Sequence, residues 1–217
     1  MEEKIKLICC KTMMDEVEAV RPENIAVDYV EYALHCNPDQ LRAELQKRID
    51  EEKNAAVLVF AYGLCSRGLD GLKAGDKTLV IPRVHDCISL LLGSRQRYEE
   101  EFGAQPGTYY LSKGWIDQKA DPYREYEENK AKYGEENARW ISDEFYRHYK
   151  RVVFIDTKLP DLEHHEEYSN QVAEFLGVDY QKISGEKDFF ERLVTGDWGK
   201  DFIVVLPGAA SRYQVFM

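Results

Sequence analysis

The chain has 217 residues, 44% of them hydrophobic, and a formal net charge of −11. That is enough for one sizeable domain, or a domain carrying an insertion. The acidic balance argues against nucleic acid and anionic membrane surfaces, which require clustered Lys and Arg. No run reaches the roughly 18 consecutive apolar residues of a spanning helix.

The N-terminal MEEKIKL has no signal-peptide apolar core, so a cytoplasmic protein is expected. Residues 4–10 read as a strand ending at Cys9-Cys10, with a short helix over 11–20. Residues 25–35 read as a second strand closing on His35 and Cys36. Asn37-Pro38 then supplies a cap and a helix-starting proline, and Leu41, Leu45 and Ile49 form an apolar stripe at spacings of four. AAVLVFAYG is an almost continuous apolar run, as in a strand covered on both faces, and Cys65 follows it. KTLVIPRV is a fourth strand, with His85, Asp86 and Cys87 at its exit. CISLLLGSRQRYEEEF reads as one helix and GTYYLS as a fifth strand.

From 117 to 151 the chain is rich in Glu, Lys, Arg and Tyr, which predicts a helical excursion or lid. The α/β rhythm resumes with strands RVVFIDT, VDYQKIS and DFIVVLPG, separated by helices HHEEYSNQVAEFLG and DFFERLVTGDW. The whole predicts a single α/β domain over 1–217, with a mostly parallel, Rossmann-like sheet and helices on both faces. The 117–151 segment is a helical insertion within it.

Five cysteines, an odd number, argue against a disulfide framework and for reduced thiols. No CxxC spacing is present. What is present is a Cys or His at each of four strand exits, along the edge where open parallel sheets house ligands. Cys9, Cys10, His35, Cys65 and Cys87 are therefore the candidate ligands of a zinc ion or an iron–sulfur cluster. Cys9 and Cys10 point to opposite faces, so one of them serves, with Cys9 favoured. Cys87 falls in the first turn of a helix, whose dipole lowers a thiol pKa. The bland alternative makes each cysteine a buried small hydrophobe. Asp86 either orients His85 or caps the following helix, the latter being favoured. His164-His165-Glu166 reads as a solvated first helical turn rather than a metal cluster. Arg67, Arg83, Arg95 and Lys113 lie in exit loops or helix starts and are candidates to hold a small anionic ligand or a cofactor's carboxylate and phosphate groups. Tyr110, Ser112, Lys113 and Trp115 offer an aromatic wall, or packing for the 117–151 helices.

LICC, ALHCNPDQLRAEL, VFAYGLCSRGL, IPRVHDCISLLLGSR and GTYYLSKGW together resemble the family known as domain of unknown function 1638. Its recurrent residues match Cys9 or Cys10, His35, Cys65, Asp86, Cys87 and Gly93. The family occurs in anaerobes beside corrinoid-dependent methyltransferase systems. The resemblance thus implies one-carbon metabolism, a corrinoid, and a corrinoid protein or methyltransferase as partner, but no defined reaction. Three functional classes follow. One is a metal-binding protein serving corrinoid-linked methyl transfer. Another is a non-catalytic carrier or accessory module. The third is a metal-free enzyme of racemase type, using Cys65 and Cys87 as paired acid and base.

Overall fold

In the computed structural model the described residues are 4–65 and 67–215, with the backbone alone at 36 and 215. In chain order the elements are β1 (Ile5–Cys10), α1 (Met14–Glu18), β2 (Ala26–Val30), α2 (Pro38–Glu51), β3 (Val57–Ala61) and β4 (Thr78–Pro82). They continue with α3 (Ile88–Leu92), α4 (Arg95–Ala104), β5 (Thr108–Leu111), α5 (Lys113–Asp117), α6 (Pro122–Tyr133) and α7 (Glu135–Tyr146). The last are β6 (Arg151–Asp156), α8 (Glu163–Leu176), β7 (Asp179–Ser184), α9 (Asp188–Thr195) and β8 (Phe202–Val205).

The fold is α/β and mostly parallel, as the alternation predicts, but the strands are shared between two sheets. The chain accordingly forms two compact units, one of Met1–Arg95 with Glu186–Met217 and the other of Gln96–Gly185. In the first, the sheet order is β2-β1-β3-β4-β8, parallel except for the β4–β8 pair. Consecutive strands usually lie side by side, so β5 is expected beside β4. Instead β8 returns antiparallel along that edge, with Leu79 opposite Val205 and Pro82 opposite Phe202. β5 therefore pairs with β6, and β6 with β7, in a separate three-stranded parallel sheet.

The apolar run of β3 is buried at all five positions because the strand is central in its sheet. The stripe of α2 faces inward, with Leu41, Leu45 and Ile49 each at most 1% exposed. Burying each such side chain contributes about 1.5–3 kcal/mol. Asn37 caps α2 as its position suggests, its side chain accepting from Gln40 N at 3.1 Å. α9 buries Phe189, Phe190, Leu193 and Val194, and Phe189 meets Phe202 of β8 edge-on at 5.7 Å.

Two sequence expectations change in detail. The second strand stops at Val30, and a 3-10 helix over Tyr32–Cys36 carries His35. The helix expected over 87–102 is broken in two: Gly93, at φ +84°, ends α3, and α4 begins at Arg95. Only glycine holds that left-handed angle without strain.

The second unit has a core of Leu111, Val152, Val172 and Ala173. The 117–151 stretch holds the end of α5, the α6–α7 hairpin and the turn into β6, so it is the crossover between β5 and β6. Among the described residues no helix is long and apolar enough to cross a membrane.

Candidate functional site

Strand order decides where the first unit offers a site. From β1 the chain steps to β2 on one side, then returns past β1 to β3 on the other. Such a reversal opens a crevice beyond the carboxyl ends of the two strands that flank it. Here those are β1 and β3, which end at Cys10 and run on into Cys65.

Cys9, Cys10, Cys65 and Cys87 all carry free thiols and are buried, none more than 3% exposed. β1 alternates its side chains as a strand must. Cys9 Sγ turns to the Cys10 carbonyl at 3.1 Å, and its charged neighbours beyond Cys10 are Glu16 and Glu18. Cys10 instead lies with Thr12, whose hydroxyl donates to Cys10 Sγ at 3.2 Å, and with Tyr62. Cys10 also raises the pKa of Cys65, so the two thiols flanking the crevice are within electrostatic reach of each other. The strand-exit edge thus receives Cys10, the less favoured member of the pair at the sequence level.

Burial pushes the Cys65 and Cys9 thiols well above their ordinary range. It also raises Cys10, but the Thr12 hydroxyl and backbone N–H and the Tyr62 hydroxyl oppose the rise by favouring the thiolate. The Tyr62 hydroxyl is buried and has no fully formed hydrogen bond among the described residues. Its own pKa is driven well up, first by burial and then by Cys10.

The loop after β3 is built for close approach. A Cβ on Gly63 would stand 2.7 Å from the N, Cα and C atoms of Asp86. The two exit segments are stitched by Leu64 N to Val84 O at 2.9 Å and Cys65 N to His85 O at 3.0 Å. Cys65 and Arg67 then take left-handed angles, φ +46° and +72°, which are unusual for residues with a Cβ. Backbone strain of this kind gathers at functional loops.

Asp86 links the remaining exits. Its charge raises Cys65 and opposes the lowering of His35, whose imidazole is held neutral mainly by burial. Its Oδ1 also accepts the Ile88 N–H at 3.0 Å, so the capping role expected of it is real. His35, Cys10, Cys65 and Asp86, from four strand exits, therefore sense one another's charge in a linked series. Cys87 precedes α3, which at five residues is shorter than the helix expected there. Among the described residues, no group of three or more His, Cys, Asp and Glu side chains is arranged to hold a metal ion.

The basic candidates separate. Arg67 pairs with Asp70 at 3.0 Å, and its guanidinium stands 4.3 Å over the Tyr213 ring. Arg83 Nε donates to Lys200 O at 3.1 Å. Arg95 opens α4 and is half-buried. Lys113 belongs to the second unit and pairs with Asp117 at 2.5 Å. Asp117 is also met by His165 Nε2 at 2.9 Å, and with its side chain 12% exposed His165 is not the solvated residue expected of that turn. Trp115 packs against the second unit's core and Tyr109 against Tyr146 and Tyr149, so this stretch serves packing.

Sequence reading passed over Thr12 and Tyr62. The signal was available for Tyr62, which opens the YGLC segment; a threonine two residues beyond a strand-end cysteine carries none.

A family model described as "Protein of unknown function (DUF1638)" matches residues 29–194. The chain belongs to the DUF1638 family. The DUF1638 match takes in His35, Cys65, Asp86, Cys87 and Gly93 but begins after β1, so Cys9 and Cys10 lie outside it. No curated protein and no solved structure matches the chain.

Proposed function

We propose that the first unit is a thiolate site for a soft metal, zinc or an iron–sulfur cluster, at the crevice between β1 and β3. Cys10 and Cys65 are its central donors, with Cys87 and His35 completing it. The reading rests on the electrostatic linkage of groups from four strand exits at a topological switch point.

The raised pKa values sharpen the choice of chemistry. A buried thiol pushed well above its ordinary range is neutral near pH 7 and a poor acid–base partner, which disfavours the metal-free racemase reading. A divalent cation would reverse that preference by displacing the thiol protons. Cys10 and Cys65 would hold it, with Cys87 and His35 as the further donors that the strand exits supply. A neutral His35 is in the form that ligates. The corrinoid-linked, one-carbon setting implied by the family, in a reducing cytoplasm, suits soft-ligand chemistry.

Protein purified without oxygen, with elemental analysis and an ultraviolet–visible spectrum, tests this. Cys10→Ser and Cys65→Ser are each expected to lose about tenfold or more in metal affinity. Metal content unchanged in both variants, or absent from wild type after loading, refutes it.

An accessory role beside a corrinoid protein or methyltransferase is the second reading. It is favoured by Trp140 and Phe145 of α7, which are 67% and 74% exposed.

A further inference from the structure

The segment after β8 is fastened to the loop that carries Cys65. Ser211, 2% exposed, donates its hydroxyl to Leu69 O at 2.5 Å and accepts from Leu72 N at 2.9 Å. Its backbone does the same work, with Gly71 N to Ser211 O at 3.0 Å and Ser211 N to Leu72 O at 2.9 Å. Further out, Ala74 N donates to Ala209 O and Tyr213 N to Asp70 Oδ1, at 2.9 and 2.8 Å. Two stretches about 140 residues apart in the chain are thus locked in one register.

That lock frames a cavity of about 610 Å³, lined by Arg67, Asp70, Arg212, Tyr213 and Gln214. It is open to solvent, with Arg67, Arg212 and Gln214 exposed along it. Arg67 is placed twice over, by its stacking on Tyr213 and by Asp70. Its carbonyl is tied as well, accepting from Arg42 Nη2 at 3.0 Å. Asp70 is the one acidic lining residue, and both its oxygens are engaged, one by Arg67 and the other by the Tyr213 N–H. Arg212 has no ion-pair partner among the described residues. A cavity with two guanidinium groups and a neutralised carboxylate, in a chain of net charge −11, is a local reversal of sign. Each guanidinium presents a planar fork of N–H donors that matches a carboxylate or a phosphate.

We propose that this cavity is a binding site for a small organic oxyanion, a phosphate monoester or a carboxylate, gripped between Arg67 and Arg212. It deepens the thiolate-site reading, on which it rests for its purpose. Arg67 lies two residues from Cys65, so the same strained loop supplies a soft donor and a grip on the substrate's charged end.

Calorimetric titration of inorganic phosphate and, separately, succinate, each to about 10 mM, tests the site and distinguishes its two anion sources. Binding of either ligand that weakens about tenfold or more in Arg212→Ala, and partly in Arg67→Lys, supports it. Arg212→Ala should melt as wild type does, because no described contact holds that side chain. Binding of neither anion, or binding unchanged in Arg212→Ala, overturns it. So does a result in which Arg67→Ala lowers the melting temperature while no anion binds, since Arg67 would then only pin the C-terminal segment. The two readings fail separately. Metal-free Cys65→Ser protein should still bind the anion, and Arg212→Ala protein should still load metal.

Discussion

Adding a single methyl group at Gly63 should pry the candidate site open. The Cβ of Gly63→Ala would stand 2.7 Å from three backbone atoms of Asp86, so the segments must part by about 0.7 Å to reach ordinary contact. No flexible side chain is there to yield. Overpacking of this kind costs about 1–3 kcal/mol. The two hydrogen bonds that stitch 64–65 to 84–85 lengthen, at about 0.5–1.5 kcal/mol each. A loss of about 2–6 kcal/mol results, a large share of the roughly 5–15 kcal/mol that holds a folded protein. At about 2–4 °C per kcal/mol for a chain of this size, melting followed by near-ultraviolet circular dichroism should fall by about 4–24 °C. The damage is local, so Cys65 should also react faster with Ellman's reagent under native conditions. A melting point within about 2 °C of wild type together with unchanged thiol reactivity would refute the reasoning.

Alkylation of the native protein, mapped by mass spectrometry across pH, should label Cys10 before Cys9 and Cys65, because Thr12 and Tyr62 favour its thiolate. Thr12→Val should slow Cys10 labelling specifically. The thiols' raised folded-state pKa values also set an alkaline limit on stability: it is full below the unfolded thiol pKa of about 8.5 and falls as pH rises beyond it, as denaturant midpoints will show. At the opposite edge of the same sheet, the Lys6 ammonium donates to Glu52 at 2.8 Å and holds its carboxyl down at about 2. That stabilisation is present above the unfolded value near 4.5 and is lost as pH falls towards 2, so urea midpoints of Glu52→Gln should be lower near neutrality and flatter across that window. In the second unit, Asp121 Oδ1 accepts from Tyr123 N, Arg124 N and the Tyr168 hydroxyl. Asp121→Ala should therefore cost about 1–3 kcal/mol in equilibrium unfolding, while Asp121→Asn, which keeps an oxygen there, should cost far less.

The elements were legible where local chemistry fixes them. The apolar run of β3, the Asn37-Pro38 start of α2 and the stripe of Leu41, Leu45 and Ile49 each announce themselves within a few residues. So does the placing of cysteines at strand exits, because a parallel strand must end where its apolar run does. Pairing partners were not legible. Nothing in FIVV says that it runs antiparallel beside TLVIP, and nothing in GTYYLS says that it belongs to a second sheet. The preference for Cys9 over Cys10 had a weak footing in sequence, because a shift of one residue exchanges the faces of a strand. The anion cavity was half visible: Arg67 belongs to a conspicuous loop, but Arg212 and Tyr213 reach it only through the Ser211 register, which leaves no mark in PGAASRY.

The late arrival of β8 has a consequence for how the protein is made. Phe202 completes a pair with Pro82 from about 120 residues further along. At ribosomal speeds of about 5–20 residues per second, β4 waits roughly 6–24 seconds for its neighbour. Meanwhile the contiguous stretch from Gln96 to Gly185 leaves the exit tunnel whole and is free to fold. Through that interval a nascent chain displays a bare apolar strand edge, the surface on which polypeptides clump. Until the final strand is delivered, that edge of β4 has no partner from its own sheet.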